Sequence, residues 1–193
     1  MKMLKRAVKG TYGYIQKKRV QTALITAMMF IISIGIIITG YVTTGSKKNL
    51  LTIVGILGLL PASKSLVSLI MLLRAGYASS GLYEKISSID DSLVSMYDMY
   101  FTSYKKNFAI SHMVVNDGVI IGYSEDMNFD QKGCQGHLEN MLKSAGHKKF
   151  TVCLSVKEDE YIDMIKKLNE KAKDNKNIES DDSIRISLYE IVL

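Results

Sequence analysis

The stretch that decides the fold is VQTALITAMMFIISIGIIITGYV, residues Val20–Val42, twenty-three residues without a charge. A second apolar stretch, LLTIVGILGLLPASKSLVSLIMLL, covers Leu50–Leu73 and has one charge, Lys64. At about 1.5 Å per residue each helix would be roughly 35 Å long, enough to cross a hydrocarbon core of about 30 Å. Both stretches are apolar on every face, unlike a surface helix. The sequence therefore predicts two transmembrane helices that form an antiparallel hairpin, joined by a loop of residues 43–49.

Charge is divided sharply along the chain. Residues 1–83 hold eleven Lys or Arg and no acid, whereas residues 84–193 hold fourteen Lys or Arg against nineteen Asp or Glu, a net charge of −5. The overall charge of +6 therefore belongs to the apolar part and its flanks. Because the polar part is acidic, the sequence argues against nucleic acid as a partner.

The basic residues also predict an orientation. Cytoplasmic flanks of membrane spans collect the excess of Lys and Arg. The flank after the second stretch carries Arg74 and Lys85, and the loop between the stretches carries Lys47 and Lys48. The first nineteen residues hold seven basic side chains: Lys2, Lys5, Arg6, Lys9, Lys17, Lys18 and Arg19. We therefore expect a cell-membrane protein with both termini in the cytoplasm. A cleaved signal peptide is the alternative, but the first apolar stretch is long for one and no A-x-A-like site follows it.

Residues 1–19 are predicted to form a basic segment at the membrane surface. Tyr12 and Tyr14 suit the headgroup region, and the basic side chains suit the anionic lipids of the inner leaflet. The lipid bilayer is thus the first expected partner.

Pro61 and Lys64 are the unusual residues of the second stretch. Pro61 removes a backbone donor and should kink the helix. Lys64 is a charge at membrane depth, and the first 83 residues contain no carboxylate to pair with it. An intramembrane charge usually marks a functional contact, so we predict that this segment meets a membrane-protein partner or a second copy of the chain. The alternative is that the span ends near Pro61 and Lys64 lies at the interface. Gly55 and Gly58 would allow close contact with the first helix.

The remainder of the chain predicts a small α/β domain behind a linker. Leu82–Tyr104 places apolar residues at helical spacing, which predicts an amphipathic linker helix within residues 74–106. In residues 107–193 the pattern predicts the order ββαβαβ. Asn116-Asp117-Gly118 is a hairpin signal, and Ser183–Leu193 alternates like a last strand after a polar loop over Asp174–Asp182. The predicted elements of this domain are strands Phe108–Val115, Val119–Tyr123, Phe150–Val156 and Ser183–Leu193, and helices Gln131–Ala145 and Lys157–Lys173.

Candidate chemical groups are few. The common phosphate-loop, dinucleotide, hydrolase and metalloprotease motifs are absent, and no cofactor is predicted. Asp117, Glu125, Asp126 and Asp130 could form a carboxylate cluster for Mg²⁺-dependent chemistry. Cys134 and His137, spaced i and i+3, could pair a thiol with a base. With His147 and Cys153 they could bind zinc, but the spacing matches no standard zinc finger, so no metal site is predicted. Both cysteines are expected to be reduced thiols in a cytoplasmic domain.

Two segments carry a resemblance. Gly10–Ile15 reads GTYGYI and Leu60–Ser65 reads LPASKS. In these segments the chain resembles a group of small, uncharacterised bacterial two-span membrane proteins with an α/β domain after the hairpin. The resemblance implies the architecture and no particular activity.

These observations favour a non-enzymatic, multi-pass membrane protein whose cytoplasmic α/β domain serves interaction or regulation. The alternative is a membrane-tethered enzyme that uses the Asp117–Asp130 acids or the Cys134/His137 pair. If these groups meet in one pocket, the enzyme is favoured; if they scatter, the interaction domain is favoured.

Overall fold

The computed structural model describes residues 7–46, 48–89, 93–104, 106–172 and 178–193. Lys2, Lys5, Arg6 and Lys47, which contribute to the predicted orientation, lie outside these ranges, as do residues 173–177 of the predicted polar loop. The described chain forms two compact units. The helical unit is Ile15–Ala75, and the α/β unit consists of Ala7–Tyr14 together with Gly76–Leu193.

The helical unit contains two long helices, α1 (Tyr14–Thr44) and α2 (Leu50–Arg74). Both are long and apolar enough to cross a membrane. Their outer surfaces are apolar and open, with Ile31 69% and Leu60 67% exposed, while Ala62 is fully buried. The two predicted helices are therefore present, and each begins or ends within a few residues of its predicted bounds except at the start of α1.

Small and hydroxyl-bearing residues bring α1 and α2 together. A Cβ added at Gly55 would overlap the side chain of Ile37 and lie 3.0 Å from the carbonyl oxygen of Ser33. Thr26 and Ser65 hydroxyls hydrogen-bond across the helix pair at 2.7 Å. The expected close contact at Gly55 is thus present, because only a residue without a side chain leaves room for it.

Two polar residues close the ends of the helix pair. The Asn49 amide donates to the carbonyl oxygen of Gly40 at 2.9 Å, and its side-chain oxygen accepts from the Thr52 amide at the start of α2 at 2.7 Å. At the other end, the Arg19 guanidinium donates to the carbonyl oxygens of Leu72 at 2.8 Å and Ala75 at 2.6 Å. A cation there supplies hydrogen bonds to carbonyls of the last helical turn and matches the negative end of the helix dipole.

The α/β unit has the order αβββαβαα. The elements are α3 (Ser80–Ser87), β1 (Ser95–Phe101), β2 (Phe108–Asn116), β3 (Val119–Tyr123), α4 (Gln131–Ser144), β4 (Thr151–Ser155), α5 (Glu158–Ala172) and α6 (Ile178–Ile191). The sheet runs β1-β2-β3-β4, with the first two pairs antiparallel and β3 parallel to β4. Helices α4 and α6 pack on one face of the sheet and α3 and α5 on the other, so the unit has three layers with an apolar core on each side of the sheet.

The central elements agree closely with the sequence prediction. Strands β2 and β3 are joined by the predicted turn, in which Asp117 and Gly118 both have positive φ, 50° and 72°. That pair of angles is the primed turn that favours hairpins. Helices α4 and α5 and strand β4 also lie within two residues of their predicted bounds.

The predicted linker helix over Leu82–Tyr104 is wrong. Helix α3 ends at Ser87, and Ser95–Phe101 forms β1. All residues of β1 after Ser95 are buried, because helices cover both faces of the sheet. A strand buried on both sides shows no polar alternation, so its apolar and tyrosine residues matched a helical spacing by coincidence.

The predicted last strand, Ser183–Leu193, is also wrong. Residues 178–191 form α6, which buries Ile184 and Leu188 while Ile186 is 59% exposed. The four-residue spacing of the two buried side chains is the helical period, and the same letters also alternate as in a strand. Compared with the predicted order ββαβαβ, the α/β unit has an additional strand, β1, before the first predicted strand. It also has a helix, α6, in place of the predicted last strand.

The N-terminal segment differs most from expectation. Residues 7–14 fold as part of the α/β unit, in which Tyr12 stacks on Tyr83 and Tyr14 hydrogen-bonds to Leu193. Tyr14 is 1% exposed, and its hydroxyl donates to the carbonyl oxygen of Leu193 at 3.0 Å. The α/β unit accordingly extends beyond the predicted range 107–193 at its N-terminal side.

Candidate functional site

The four candidate carboxylates do not form a cluster. Asp117 lies in the turn before β3, whereas Glu125 and Asp126 follow the end of that strand. Each of the latter serves local structure: Glu125 Oε2 accepts from the Ser79 amide at 2.9 Å, and Asp126 Oδ1 accepts from the Asn128 amide at 2.9 Å. Asp130 begins α4, where its Oδ1 accepts from the Gly133 amide at 2.9 Å. The arrangement fits turn and helix capping.

Cys134 lies in the apolar core, whereas His137, on the same helix, is only half-buried. Cys134 is fully buried in the core under α4, and burial raises the pKa of its thiol to about 12, with the Asp130 carboxylate adding to the rise. A thiol with that pKa is almost entirely protonated near neutral pH, and the thiolate is the nucleophile. The half-buried His137 ring lies 5.8 Å from the ring of Phe108.

The remaining candidate ligands are also apart. His147 Nε2 lies 2.9 Å from the Ser187 hydroxyl, and Cys153 is half-buried in β4. Within the described ranges no three His, Cys, Asp or Glu side chains are grouped as metal ligands.

Pro61 and Lys64 both lie on exposed positions of α2, which continues through Pro61 without a break to Arg74. No described residue hydrogen-bonds or ion-pairs with the Lys64 ammonium group. The Lys64 side chain is therefore exposed on the surface of α2 and can contact groups that lie outside the helical unit.

A buried carboxylate that the sequence analysis missed holds the hairpin turn. Asp181, 2% exposed near the start of α6, accepts from the amides of Asp117 and Gly118, both at 2.8 Å. Asp181 therefore ties α6 to the β2–β3 turn. The sequence offers no signal for this role, because Asp181 lies in an ordinary acidic stretch.

A second missed carboxylate lies inside β1. Asp98 is 1% exposed and has a φ of 56°, unusual for a residue other than glycine. Its Oδ1 accepts from the Ala78 amide at 2.8 Å, just before α3. The hydrogen bond ties the residue before the N-cap of α3 to strand β1.

The largest concentration of polar aromatic groups lies on the α3 and α5 face of the sheet. The rings form a continuous chain of neighbours: Tyr12 stacks on Tyr83 at 4.3 Å, Tyr97 lies 4.5 Å from His112, and Tyr123 stacks on Tyr161 at 5.2 Å. Tyr83 and Tyr97 are 5.4 Å apart and His112 and Tyr161 5.9 Å apart, so the groups connect. We call these six residues the tyrosine–histidine cluster.

His112 is the central polar residue of this cluster. It is fully buried, and burial lowers its pKa to about 3, so the ring is neutral at physiological pH. Its Nδ1 lies 2.7 Å from the Tyr161 hydroxyl, while Nε2 is buried and has no hydrogen-bond partner among the described residues. If Tyr161 donates to Nδ1, only the Nε2–H group lacks a partner. The opposite tautomer would leave two groups without partners, so the proton is assigned to Nε2.

The N-terminal segment closes the open edge of β1. Tyr97 donates its amide to the carbonyl oxygen of Gly10 at 2.8 Å, and the Lys9 ammonium donates to the carbonyl oxygens of Tyr189 at 2.9 Å and Val192 at 2.6 Å. Val192 in turn bridges Phe101. We call residues 7–14 the N-terminal clip. It joins the first described residues to the last ones through the sheet edge.

The geometry thus offers a clip, a tyrosine–histidine cluster and an exposed lysine, with no gathered catalytic group among the sequence candidates. A scan against protein-family models, a search of curated proteins and a search of solved structures each find no match to this chain.

Proposed function

We propose that this protein is a two-span membrane protein whose α/β unit lies in the cytoplasm and serves interaction or regulation. The observation that carries the proposal is the N-terminal clip. Residues 7–14 precede α1, and Gly76–Leu193 follow α2, yet both belong to one folded unit. Two chain segments that fold together must lie on the same side of a membrane, so the apolar chain between them crosses it an even number of times.

The clip also bears on the signal-peptide alternative. Cleavage after the first apolar stretch would remove Lys9, Gly10 and Tyr12 from the unit in which they hydrogen-bond and stack. Retention of this stretch as a membrane span is consistent with those contacts.

The cytoplasmic side follows from charge. The described flanks of the two helices include Lys9, Lys17, Lys18 and Arg19 before the first span and Arg74 after the second, against Lys48 in the connecting loop. Positive residues are retained on the cytoplasmic side during insertion.

Interaction or regulation is favoured over catalysis by the scatter of the candidate groups. The carboxylates cap turns and helices at opposite ends of β3, and the Cys134 thiol is buried in the core. No pair of these groups converges on a common reacting atom.

Topology is tested with reporter fusions. A cytoplasmically active reporter fused after Leu193 should be active, and the same reporter inserted within Thr43–Asn49 should be inactive; a periplasmically active reporter should give the reverse. An externally active fusion at Leu193 would contradict the proposal.

We further propose that Lys64 contacts an acidic side chain of a membrane-protein partner or of a second copy. An unpaired lysine at the centre of a span costs about 2.5–3.5 kcal/mol on insertion scales, and the described helical unit gives its ammonium no polar partner. Lys64→Leu should insert at least as well as the parent and lose the complex on co-purification, whereas Lys64→Arg should keep part of it. Ser63→Leu, at the exposed neighbouring position, is the control. An unchanged set of partners with Lys64→Leu would end the proposal.

A further inference from the structure

The two points at which the chain enters the α/β unit from the apolar stretches lie at one end of the sheet. Tyr14 hydrogen-bonds to Leu193, whose amide donates to the carbonyl oxygen of Tyr100, near the end of β1, at 3.1 Å. Gly76 lies against Ala109, because a Cβ added at Gly76 would be 3.0 Å from the Cβ of Ala109. Tyr100 and Ala109 are paired across β1 and β2, so both connections reach the same end of the sheet.

This end also carries two loops, residues 102–107 between β1 and β2 and residues 124–130 between β3 and α4, and we call it the loop end. The structure describes all of these residues except Lys105. Each loop exposes one large apolar side chain: Tyr104 is fully exposed and Met127 is 86% exposed. Single exposed apolar side chains are common on protein surfaces, so it is their position beside both chain connections that indicates a contact.

The short connections keep the loop end close to the membrane. This distance rests on the proposed function, in which α1 and α2 cross the bilayer. Tyr14 precedes Val20, the start of the first apolar stretch, by six helical residues, which is at most about 9 Å. Five residues separate Leu73, the end of the second stretch, from Ala78, whose amide is held by Asp98, and they reach at most about 18 Å. Since the headgroup layer is roughly 5–8 Å thick, the loop end lies beside it.

The charge of the loop end does not favour an anionic surface. Glu125, Asp126 and Asp130 are exposed on the second loop, and each accepts a hydrogen bond from a backbone amide. Lys106 is the basic residue among the described residues of the two loops. Anionic lipids attract basic segments, whereas the amphipathic ring of tyrosine suits the headgroup layer itself. Contact with lipid would therefore come from the apolar side chains, and a zwitterionic lipid would be sufficient.

From this placement we propose that Tyr104 and Met127 insert into the headgroup layer of the membrane that α1 and α2 cross, and so dock the α/β unit on the bilayer surface. The opposite end of the sheet, at the β2–β3 turn, then faces the cytoplasm. The lipid contact is separate from the intramembrane contact proposed for Lys64.

Tryptophan fluorescence gives a direct test, because the chain contains no tryptophan. The full chain is placed in nanodiscs of phosphatidylcholine, with or without bromine on the acyl chains near the headgroup, since bromine quenches a nearby tryptophan. Tyr104→Trp and Met127→Trp should each lose fluorescence in the brominated lipid and emit at shorter wavelength than tryptophan in water. Ile178→Trp is the control, because Ile178 is 60% exposed and lies one helical turn before Asp181 at the opposite end of the sheet. It should show neither effect.

Ile31→Trp separates a failure of this proposal from a failure of the proposed function. Ile31 is exposed on α1, so its tryptophan should be quenched by lipid brominated near the end of the acyl chain if α1 lies in the bilayer. Quenching at Ile31 without quenching at Tyr104 and Met127 would overturn the docking alone. No quenching at Ile31 would overturn the membrane spans and the docking with them. Quenching at Ile178 equal to that at Tyr104 would also overturn the docking.

A second pair of variants tests whether insertion of Tyr104 holds the contact. In the Met127→Trp chain, Tyr104→Asp should reduce the quenching, because a carboxylate resists transfer out of water, whereas Tyr104→Phe should retain it. Tyr104 is fully exposed, so neither change removes a core side chain. Equal quenching in the Asp and Phe variants would overturn the insertion of Tyr104.

Discussion

His112 is a buried histidine whose pKa lies far below that of a histidine in water. Burial lowers its pKa to about 3, whereas an unfolded histidine titrates near 6.5. Below pH 6.5 the unfolded state binds a proton that the folded state excludes, so stability is complete above pH 6.5 and is lost as the pH falls toward 3.

The first prediction is therefore a pH-dependent loss of stability. Between pH 7.5 and 5 the free energy of unfolding should fall by about 2 kcal/mol on account of His112. Thermal or denaturant unfolding of the full chain in micelles measures it. His112→Gln should remove most of this dependence, although it lowers the overall stability, and His137→Gln should retain it. A parent protein equally stable at both pH values would contradict the assignment.

Few of the residues that form the site could be identified individually from the sequence. Asp117 was identifiable because a primed turn needs positive φ, and Asp130 because a helix start needs a cap. The roles of Asp98, His112 and Asp181 depend on partners 20, 49 and 64 residues away in the sequence, so the neighbouring residues do not indicate them. A histidine inside the apolar run FAISHMVV is the one hint, and it is compatible with ordinary core packing.

Among the elements, the N-terminal clip depends on Gly10. Its φ is +78°, and a Cβ there would lie 2.5 Å from the ring of Tyr189. Gly10→Ala should therefore both strain the backbone and displace the clip from α6, lowering the stability of the α/β unit by roughly 2–4 kcal/mol.

Gly13 provides a matched control for the clip. Its φ is nearly the same, +76°, but a Cβ there meets nothing within 4 Å. Gly13→Ala should cost only the backbone term, about 1–2 kcal/mol. Native-state hydrogen exchange at the Tyr97 amide, which bonds to Gly10, would separate the two: exchange there should rise more in Gly10→Ala. Equal effects of the two substitutions would show that the Tyr189 contact is unimportant.

Some elements can be predicted from their own residues, whereas others depend on the elements that pack against them. The β2–β3 hairpin, α4, β4 and α5 carry their own turn residues, caps or one-sided apolar faces, so the sequence predicts them. Strand β1 is buried on both faces and α6 has an alternating composition, so for both the local pattern indicates the wrong period. Their structures follow from the layers packed on either side, which the sequence does not show.

At the scale of the whole molecule, the α/β unit is discontinuous in sequence. A fragment that begins at Gly76 keeps the rest of the α/β unit and lacks only the clip, so it should be less stable than a chain in which residues 7–14 are kept. Replacing residues 15–75 by a Gly/Ser linker of about 20 residues, which has a root-mean-square span of about 25 Å, should restore a cooperative unfolding transition in a soluble protein.

The comparison of these two fragments is the control. If the fragment without the clip unfolds at the same temperature as the linked chain, the clip contributes no stability to the α/β unit. A linked chain with no cooperative transition would instead mean that the unit depends on the helical unit for folding.

The clip also determines the order in which parts of the α/β unit can fold during synthesis. Lys9, Gly10 and Tyr14 are synthesised before the rest of α1 and before α2. Their hydrogen-bond partners are synthesised only after both helices; these partners are Tyr97, Tyr189, Val192 and Leu193. During synthesis the N-terminal segment therefore has none of these hydrogen bonds until both apolar helices have been made. The clip can therefore complete its contacts only after residues 189–193 have been synthesised, and a nascent chain stalled before residue 189 would lack the hydrogen bonds of Lys9 and Tyr14 to this segment.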